Sequence, residues 1–550
     1  MAEPVASPGP QDRQDQPTAP ADRRWMILAV VAVAQLMVVL DSTIVNIALP
    51  SAQQALGFAD SDRQWVVTAY ALAFGSLLLV GGRLGDMYSR QWVLITGLIG
   101  FAVASAIGGA AVSFVMLVVA RALQGAFGAI LAPAALGTLV STFRDPDERR
   151  RAFAVFGSVA VGGGAVGLIL GGVLTQYLSW RYTLFVNLIF AALAVAGALA
   201  YIRSSRPADP PRMDWPGAVL ACAGLFLIVF GFSRAETAGW TAGLTLGSLV
   251  LGAVLLTAFV VAERRSSHPL LPLRVILDRT RGGSYVAVGI TGISLFGIFL
   301  FLTFYLQQVK GDSPLTTGLL FLPLVAGILV SSTLYSALPP SGPRPLVTVG
   351  MLLGAGGTAY LAQLTVTSGY LAGVLPALLV MGLGFGLIFA AAVNTATAGV
   401  PVQDSGVASA LVNTMQQVGG SIGISILSTI AASATTSYLI AHHTGRRAPA
   451  IAATHGYTLA FTISAALLGL GAILAILMLP SRKRLEELTG EASALLPEPE
   501  PAAPAPAPPP RPHQVTSALH PAVKVLPVGL LCCSPVIDPG LSSAPAGPSR

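Results

Sequence analysis

Charged residues are scarce in this sequence. Asp, Glu, Lys and Arg together make up 10% of its 550 residues, whereas soluble domains carry about 25%. Hydrophobic residues make up 54%, and the mean hydropathy is +0.74. This composition excludes an ordinary soluble protein and predicts a polytopic membrane protein. Because lipid offers no hydrogen bonds to the backbone, the long apolar runs are predicted to be helices.

Cysteine is also rare. Cys222 lies in an apolar run, and Cys532 and Cys533 lie near the end of the chain. The sequence has no CxxC pair and no Cys/His cluster, which argues against a disulfide scaffold and against a zinc site. The first 24 residues are polar and Pro-rich, and no small-residue cleavage site follows them. The first apolar run is therefore predicted to be an uncleaved helix.

Apolar runs of about 20 residues recur along the chain and predict about fourteen membrane-spanning helices. The run 92–137 is nearly continuous, and we divide it at Ser113 because a single helix of that length would overrun a bilayer about twofold. The predicted spans are 25–47, 65–82, 92–112, 115–137, 152–175, 182–202, 215–233, 242–262, 284–306, 316–337, 346–364, 371–394, 407–433 and 456–480.

Basic residues predict the orientation of these spans. If the N-terminus is cytoplasmic, the cytoplasmic loops hold more than twice as many Arg and Lys residues as the outer loops. The positive-inside rule then places both termini in the cytoplasm, and an even number of spans agrees with this. The net charge of +7 is explained by this bias, so no nucleic-acid partner is expected.

The most informative residue is Asp41, which lies within the first apolar run. A charge near the bilayer centre costs roughly 2.5–3.5 kcal/mol on insertion scales, so such residues are rare and usually functional. The other predicted spans show no second acid at comparable depth. Burial favours the neutral form of a carboxyl group, which moves proton exchange toward physiological pH. The alternative is an Asp fixed permanently to a partner helix.

Arg121 is the basic residue predicted to lie deep in a span, the fourth. It requires a partner or an aqueous cavity, and Asp41 is the candidate, directly or through water or Gln124. The alternative is that Arg121 reaches the outer interface by snorkelling.

Glycines mark two further segments. The short loop Gly82–Arg90 has Gly82 and Gly85 for a tight turn and close helix approach. Asp86 could pair there with Arg90 or with a neighbouring helix end. In the fifth span Gly163, Gly167 and Gly171, followed by Gly172, share one helix face that another helix could approach closely. The alternatives are a solvated loop for the first segment and simple tight packing for the second. Gly419, Gly420 and Gly423 repeat the pattern in the thirteenth span, which suggests two six-helix halves with spans 7 and 8 inserted between them.

Together these blocks resemble the major facilitator superfamily, specifically its fourteen-spanner drug/proton antiporters of the EmrB/QacA type. The resemblance covers about residues 23–482. It rests on six blocks: Leu40-Asp41-Ser42-Thr43-Ile44-Val45-Asn46-Ile47-Ala48-Leu49-Pro50; Ser179-Trp180-Arg181 with Phe185 and Asn187; Asp214-Trp215 with Gly217; Glu263-Arg264-Arg265 with His268-Pro269-Leu270; Tyr305–Gly311 with Ser313-Pro314, Gly318 and Pro323; and Asp404–Gly420.

The sequence departs from the family pattern at a few positions. Met87 and Ser89 replace an Arg and a Gly of the usual short loop, and Gln91 replaces its last basic residue. Leu168 replaces the Pro of the fifth-helix motif, and Ile189 replaces a Pro after Asn187. These departures bear on gating more than on the fold.

The resemblance implies two six-helix bundles around a midplane cavity, and a transporter that exports small hydrophobic or cationic compounds, drugs and antibiotics among them, in exchange for protons. Asp41 and Arg121 would couple the proton. Gly82, Asp86, Arg90, Gly163, Gly167, Gly171 and Gly172 would serve gating, with Gly163, Gly167 and Gly171 as the sliding surface between the halves. No cofactor or metal is implied beyond the proton motive force. The expected partners are the substrate, protons and the lipid bilayer, and the protein is expected to act as a monomer in the cell inner membrane.

Polar residues at depth prefer the cavity, so they are candidates for its lining, with polar contacts between helices as the alternative. These candidates are Gln35, Asn46, Tyr70, Gln124, Gln307, Asn394, Asn413 and Gln416. The expected divisions are a tail at 1–24, an N-terminal bundle at 25–205, linker helices and a loop at 206–283, a C-terminal bundle at 284–480 and a disordered Pro/Ala-rich tail at 481–550.

Three other functions remain open at this stage. A proton-coupled nutrient importer would share the fold. A membrane enzyme would need an acid/base cluster in long loops, and the predicted loops are short. A sensor or scaffold would need a folded soluble domain, which the Pro-rich tail does not offer.

Overall fold

The computed structural model describes residues 21–143, 145–204, 213–266, 270–271, 273–337, 342–397, 400, 405–442 and 447–481. Regular structure in this part of the chain is helical, and thirteen of its helices are long and apolar enough to cross a membrane. The prediction of an all-α membrane protein with about fourteen spans is confirmed. Most of both predicted tails lies outside the described residues.

Six long helices form the N-terminal half. They are α1 (Ala21–Leu56), α2 (Gln64–Met87), α3 (Arg90–Gly109), α4 (Phe114–Thr142), α5 (Pro146–Tyr177) and α6 (Tyr182–Tyr201). The predicted division at Ser113 is present, since the Ser113 hydroxyl caps α4 by accepting a hydrogen bond from the Met116 amide at 3.3 Å. Asp145 caps α5 in the same manner, accepting from the amides of Asp147 and Glu148. Such caps satisfy amides that a helix start leaves unpaired.

Two helices follow and form a hairpin, α7 (Trp215–Ala238) and α8 (Gly243–Arg265). The C-terminal half then consists of α9 (Leu273–Ile276), α10 (Arg279–Phe304) with a π-helical turn (Tyr305–Val309), α11 (Pro314–Leu320), α12 (Leu322–Ala337), α13 (Pro343–Leu361), α14 (Tyr370–Gly373), α15 (Leu375–Thr397), α16 (Ser405–Ala441) and α17 (Ala448–Met478). Helix α13 occupies the eleventh predicted span, 346–364. It is not among the thirteen because Arg344, two prolines and four glycines lower its hydropathy.

The two halves repeat one packing pattern. In the N-terminal half α1 packs against α4, α5 and α6, and α3 packs against α4 and α6. In the C-terminal half α10 packs in the same way against α15, α16 and α17, and α13 packs against α15 and α17. The pair α2 and α4 corresponds to the pair α12 and α15. This is the architecture of two six-helix bundles, and the α7–α8 hairpin contacts them through α2 and α16.

The structure corrects the predicted loop at Gly82–Arg90. Helix α2 continues to Met87, so only Tyr88 and Ser89 connect it to α3. Gly82 and Gly85 lack the positive φ of a tight turn, and neither provides a close approach. A Cβ at Gly82 would meet only Pro133 at 3.9 Å, and one at Gly85 would meet nothing within 4 Å. Close packing belongs to the preceding residue, because a Cβ at Gly81 would lie 2.0 Å from the Ala129 carbonyl oxygen of α4.

The other residues of that segment are placed as follows. Arg90 is the first residue of α3. The side chain of Asp86 lies outside the described residues, so the expected pair with Arg90 remains a prediction. Ser89, one of the departures from the family pattern, forms a hydroxyl–hydroxyl hydrogen bond of 2.9 Å with Ser204 just beyond α6.

The glycine face of α5 is also corrected. A Cβ at Gly163, Gly167 or Gly171 would contact side chains of α1 at 3.1, 2.0 and 2.8 Å respectively. These glycines therefore pack α5 onto α1 inside one bundle, and they do not form a sliding surface between the halves. Helical periodicity identified the shared face correctly but could not tell which helix it meets. Gly419 and Gly423 of α16 pack onto α10 in the equivalent manner.

Contacts between the halves lie on neighbouring positions of α5. A Cβ at Gly172 would lie 2.5 Å from the Leu315 Cα of α11, and a Cβ at Gly318 would lie 2.3 Å from the Leu168 carbonyl oxygen. Leu168, which replaces the proline of the family motif, is fully buried in this contact. Gly172, one of the predicted gating residues, therefore contacts the other half, whereas Gly163, Gly167 and Gly171 do not.

Candidate functional site

Asp41 lies in the middle of α1 with no solvent exposure, inside the N-terminal bundle. Its Oδ2 accepts a hydrogen bond from Arg121 Nη1 of α4 at 2.5 Å, which is a direct ion pair. Its Oδ1 accepts from Gln124 Nε2 and from Asn187 Nδ2 of α6, both at 2.8 Å. The predicted partner of Asp41 is therefore in direct contact, and Gln124 bonds to both members of the pair.

The amides in this cluster are themselves held in place. Gln124 donates to Ser105 Oγ of α3 at 2.7 Å, and Asn187 donates to the same oxygen at 3.4 Å. Gln124 lies one turn after Arg121 on α4, so both side chains leave the same face of that helix. Of these residues, Asn187 was predicted only as part of a family block, and Ser105 was not predicted. Asn187 could have been found as a lone amide in an apolar helix, whereas a single serine carries no such signal.

Arg121 is 1% exposed, so it does not snorkel to an interface. Its Nε donates to the Val66 carbonyl of α2 at 3.1 Å. The guanidinium lies 4.4 Å from the ring centroid of Tyr70, also on α2, in a cation–π contact. Acid, carbonyl and aromatic ring together compensate a charge that burial would otherwise make costly.

In this arrangement the charge of Asp41 can be neutralised in two ways, by the ion pair with Arg121 or by a proton. With Asp41 ionised, the cluster is neutral and nearly all of its donors are satisfied. Protonation would remove the charge that holds Arg121 and leave the guanidinium without its counter-ion. The Asn187 Oδ1 is buried and has no hydrogen-bond partner among the described residues. It could accept the proton of a neutral Asp41 after the amide rotates, since amide orientation is assigned from the hydrogen-bond network.

A cavity of about 410 Å³ lies next to this cluster, between the two halves. Arg121 and Tyr70 form part of its wall, so the ion pair is adjacent to the cavity although Asp41 itself is not part of the lining. Pockets of this size bury much of a drug-sized molecule. The remaining wall comes from α1, α2 and α5 on one side and from α10, α12, α15 and α16 on the other.

Five of the eight predicted lining residues lie in this wall, and three do not. Gln124 is fully buried in the ion-pair cluster. Gln307 donates to the Ile47 carbonyl at 3.0 Å, which makes it a contact between the halves. Asn394 is exposed away from the cavity. The five that line it are Gln35, Asn46, Tyr70, Asn413 and Gln416, and Gln417 was missed.

Contacts between the halves close one end of the molecule. We call the end that carries the first and last described residues the terminal end, and the opposite end the distal end. At the distal end the Arg63 guanidinium lies 4.2 Å from the Phe304 ring centroid and 5.6 Å from that of Tyr457. Gln307 and the Gly172–Leu315 contact lie at the same end.

Toward the terminal end α5 is less covered. A Cβ at Gly157 or at Gly164 would meet no atom within 4 Å. On the opposite side of the cavity α2 and α16 stay in contact, with a Cβ at Gly75 3.0 Å from Gln417 Cβ. The halves are thus closed at the distal end, and the gap between them lies beside α5.

A second buried acid, Glu263, is 4% exposed near the end of α8. It accepts hydrogen bonds from the amides of Leu270 and Leu271 at 3.2 and 3.1 Å. Both carboxylate oxygens therefore hold the chain that follows α8. Glu263 is not among the residues that line the cavity, so it does not replace Asp41 as the candidate for proton exchange.

Comparison with known proteins places this geometry in a family. The sequence profile of the Major Facilitator Superfamily matches residues 31–424. The puromycin resistance protein of Streptomyces alboniger is 47% identical over 478 residues, which cover 86% of this chain and 95% of that protein. The cephamycin export protein of Amycolatopsis lactamdurans is 39% identical over 422 residues, 74% of this chain and 85% of that protein. The tetracenomycin C resistance and export protein of Streptomyces glaucescens is 35% identical over 417 residues, which cover 75% of this chain and 76% of that protein.

Solved structures share the fold at low identity. A bacterial homologue of the human lysosomal transporter Spinster, in an inward-facing and unoccupied conformation, has a TM-score of 0.61 and 16% identity. The match covers 86% of this chain and 99% of that chain. A peptide transporter in complex with sulfate has a TM-score of 0.60 and 13% identity. The match covers 87% of this chain and 98% of that chain.

Proposed function

Because the chain belongs to the major facilitator superfamily, we propose that it exports small hydrophobic or cationic compounds, antibiotics among them, in exchange for protons. Its similarity to relatives named for antibiotic resistance and export supports the direction and the substrate class. The observation that carries the proposal is the buried Asp41–Arg121 pair beside a drug-sized cavity between the two halves. We assign the chain no enzymatic activity.

In this proposal Asp41 alternates between two partners, Arg121 and a proton. When the cavity faces the acidic side, Asp41 takes a proton and releases Arg121. When the cavity faces the cytoplasm, Asp41 loses the proton and the ion pair forms again. The change in charge favours one conformation over the other, as a two-state exchange requires. One proton that crosses 100 mV supplies about 2.3 kcal/mol.

Gating is proposed at both ends. At the distal end, the close approaches at Gly172 and Gly318 allow the halves to meet and part. At the terminal end, Arg90 and Asp86 are proposed to latch the closed state. Gly163, Gly167 and Gly171 keep α5 and α1 together as one rigid pair during this movement.

We further propose that the protein acts as a monomer in the cell inner membrane, with both termini cytoplasmic. The distribution of basic residues supports this orientation. With it, the closed distal end faces outward, so the described conformation is open toward the cytoplasm. The proposed divisions are the two bundles at 25–205 and 284–480, the linker helices at 206–283, and cytoplasmic tails at 1–24 and 481–550.

The test is Asp41→Asn in everted membrane vesicles, with drug accumulation driven by an imposed pH gradient. Asparagine preserves size and hydrogen bonding but cannot exchange a proton. Export driven by the gradient is expected to fall by at least about a hundredfold, because the ion pair can no longer be broken by protonation. The matched control is Asp147→Asn, the same change at a side chain that is 74% exposed near the start of α5.

Two outcomes would contradict the proposal. Gradient-driven export that survives in Asp41→Asn would remove Asp41 as the proton site. Vesicles with the unaltered chain that accumulate no compound from a broad antibiotic panel would remove drug export itself. Immunoblotting shows whether each variant reaches the membrane in equal amounts.

A further inference from the structure

We infer that the cavity selects neutral molecules that both donate and accept hydrogen bonds, and that it discriminates against molecules that carry a cationic group. This inference rests on the proposed export function and narrows its substrate class. Three observations carry it: the charges in the cavity wall, two buried polar atoms without partners, and the side chains that α16 contributes.

The wall carries positive charge and no carboxylate. Among the described residues that line the cavity, Arg121 is the charged one, and Asp41 lies behind it with no solvent exposure. Both carboxylate oxygens of Asp41 are already bonded, to Arg121, Gln124 and Asn187. A cation that enters would lose water and find no free counter-ion, which is a costly form of burial.

Two side chains of the wall carry a polar atom without a hydrogen-bond partner. The Tyr70 hydroxyl and the Gln417 Oε1 are both buried, and neither has a partner among the described residues. Buried polar groups are rarely left unpaired, so a ligand group can satisfy each of them when the side chain turns toward the cavity. Tyr70 can donate to an acceptor on the ligand, and Gln417 can accept from a donor. An amide, a hydroxyl or a nucleobase edge on a neutral molecule meets both requirements.

The C-terminal half presents further amides to the same space. Asn413, Gln416 and Gln417 follow one face of α16 at positions i, i+3 and i+4, and all three line the cavity. Amides can donate as well as accept, so they suit uncharged polar groups in varied orientations. Phe74, Phe296, Phe299 and Phe389 supply the apolar part of the wall.

The experiment compares three forms of one fluorescent drug, an anthracycline. Its amine is cationic, its N-acetyl derivative is neutral and its N-succinyl derivative is anionic. Uptake into everted vesicles is measured for each at matched concentration. We expect the neutral form to be transported at least about tenfold more efficiently than the amine, since an unpaired buried charge costs more than 1.4 kcal/mol.

A variant tests whether the lack of a carboxylate in the cavity wall causes the weaker transport of the cationic amine. Gln416→Glu places a carboxylate in the wall, and we expect it to raise the ratio of amine transport to neutral-form transport at least about fivefold. The matched control is Asn394→Asp, which adds the same charge at an exposed position outside the cavity. It is expected to leave the selectivity unchanged.

The outcomes separate this inference from the proposed function. Transport of the amine as efficient as that of the neutral form overturns the inference while export stands. Equal transport of the anion shows that Arg121 rather than the amides selects the substrate, and this also overturns the inference. If Asn394→Asp changes selectivity as much as Gln416→Glu, the charge does not act in the cavity. No transport of any form contradicts the proposed export as well.

Discussion

The N-terminal bundle buries an acid, two arginines and several amides, whereas the polar side chains that the C-terminal bundle buries in its described part are hydroxyls. In the N-terminal bundle these include Asp41, Arg121, Gln124 and Asn187. In the C-terminal bundle the buried polar residues are Ser284, Thr291, Ser294, Thr303, Thr317, Ser331, Thr358, Thr395, Thr414, Ser421, Ser425, Ser428, Thr429, Thr454 and Ser464. Both bundles nevertheless pack their six spans in the same pattern.

The difference shows that this packing does not need buried charge. Many hydroxyls in the C-terminal bundle bond to a carbonyl of their own helix, as Ser425 does to Ser421 at 3.0 Å. Such bonds are local and fold with the helix. The bonds of Asp41 join residues 80 to 146 positions apart. Since an equivalent bundle forms without them, the packing does not require these bonds, which supports the proton-coupling role proposed for Asp41.

The largest expected effect comes from removing one of the two charged residues of the cluster. Arg121→Met leaves Asp41 buried without its cation, which costs about 3–5 kcal/mol. We expect the thermal unfolding midpoint in detergent to fall sharply. The double variant Asp41→Asn with Arg121→Met should recover much of this loss, because both charges are gone. If the double variant is as unstable as the single one, the ion pair is needed for the fold, and the comparison between the bundles fails.

A smaller effect concerns the contact between the bundles. A Cβ in Gly172→Ala would approach Leu315 Cα to 2.5 Å, and such overpacking costs about 1–3 kcal/mol in the distal-closed state. Gly157→Ala, on the same helix but with nothing within 4 Å, is the control. The measurement is labelling of Asn46→Cys in the cavity by a membrane-impermeant maleimide, in a chain without its three native cysteines.

We expect Gly172→Ala to speed labelling from the distal side, and Gly157→Ala to leave it unchanged. Equal labelling in both variants would show that this glycine does not limit how the two halves close.

The smallest effect compares one serine from each bundle. In Ser105→Ala, Gln124 and Asn187 lose an acceptor that both share, and we expect a loss of about 1–3 kcal/mol. Ser425→Ala removes only a bond to its own helix, so its effect should stay within about 0.5 kcal/mol. Unfolding midpoints in detergent measure both. Equal losses would mean that the charged cluster adds nothing beyond ordinary serine packing.

Much of the architecture could be predicted from the sequence. Apolar runs of bilayer length located every span, and the cost of charge in lipid singled out Asp41 and Arg121 and paired them. The division at Ser113 followed from bilayer thickness alone. In each case one physical constraint acts on a short segment, so the sequence contains all the information needed.

Other features depend on which helices are neighbours. The glycine face of α5 was visible, but whether it meets α1 or the other half is decided by the fold. Gln307 and Asn394 are polar and deep by hydropathy, yet one bridges the halves and the other faces away from the cavity. A longer loop was predicted between α2 and α3 because Gly82 and Gly85 suggested a tight turn. The segment is instead helical up to Met87, because glycines in a helix of a membrane protein carry little penalty when their neighbours pack closely.

The Arg63 contact with Phe304 and Tyr457 has a consequence for timing. A guanidinium remains charged throughout the physiological pH range, so acidification does not weaken this contact. It joins the two halves and must break before they part at the distal end, so in the proposed cycle its free energy adds to the barrier for that opening. A cation–π contact that is largely desolvated contributes about 2 kcal/mol, which slows opening about thirtyfold. In the proposed cycle Arg63 would therefore set how fast the distal end opens, while protonation of Asp41 would set the direction of transport.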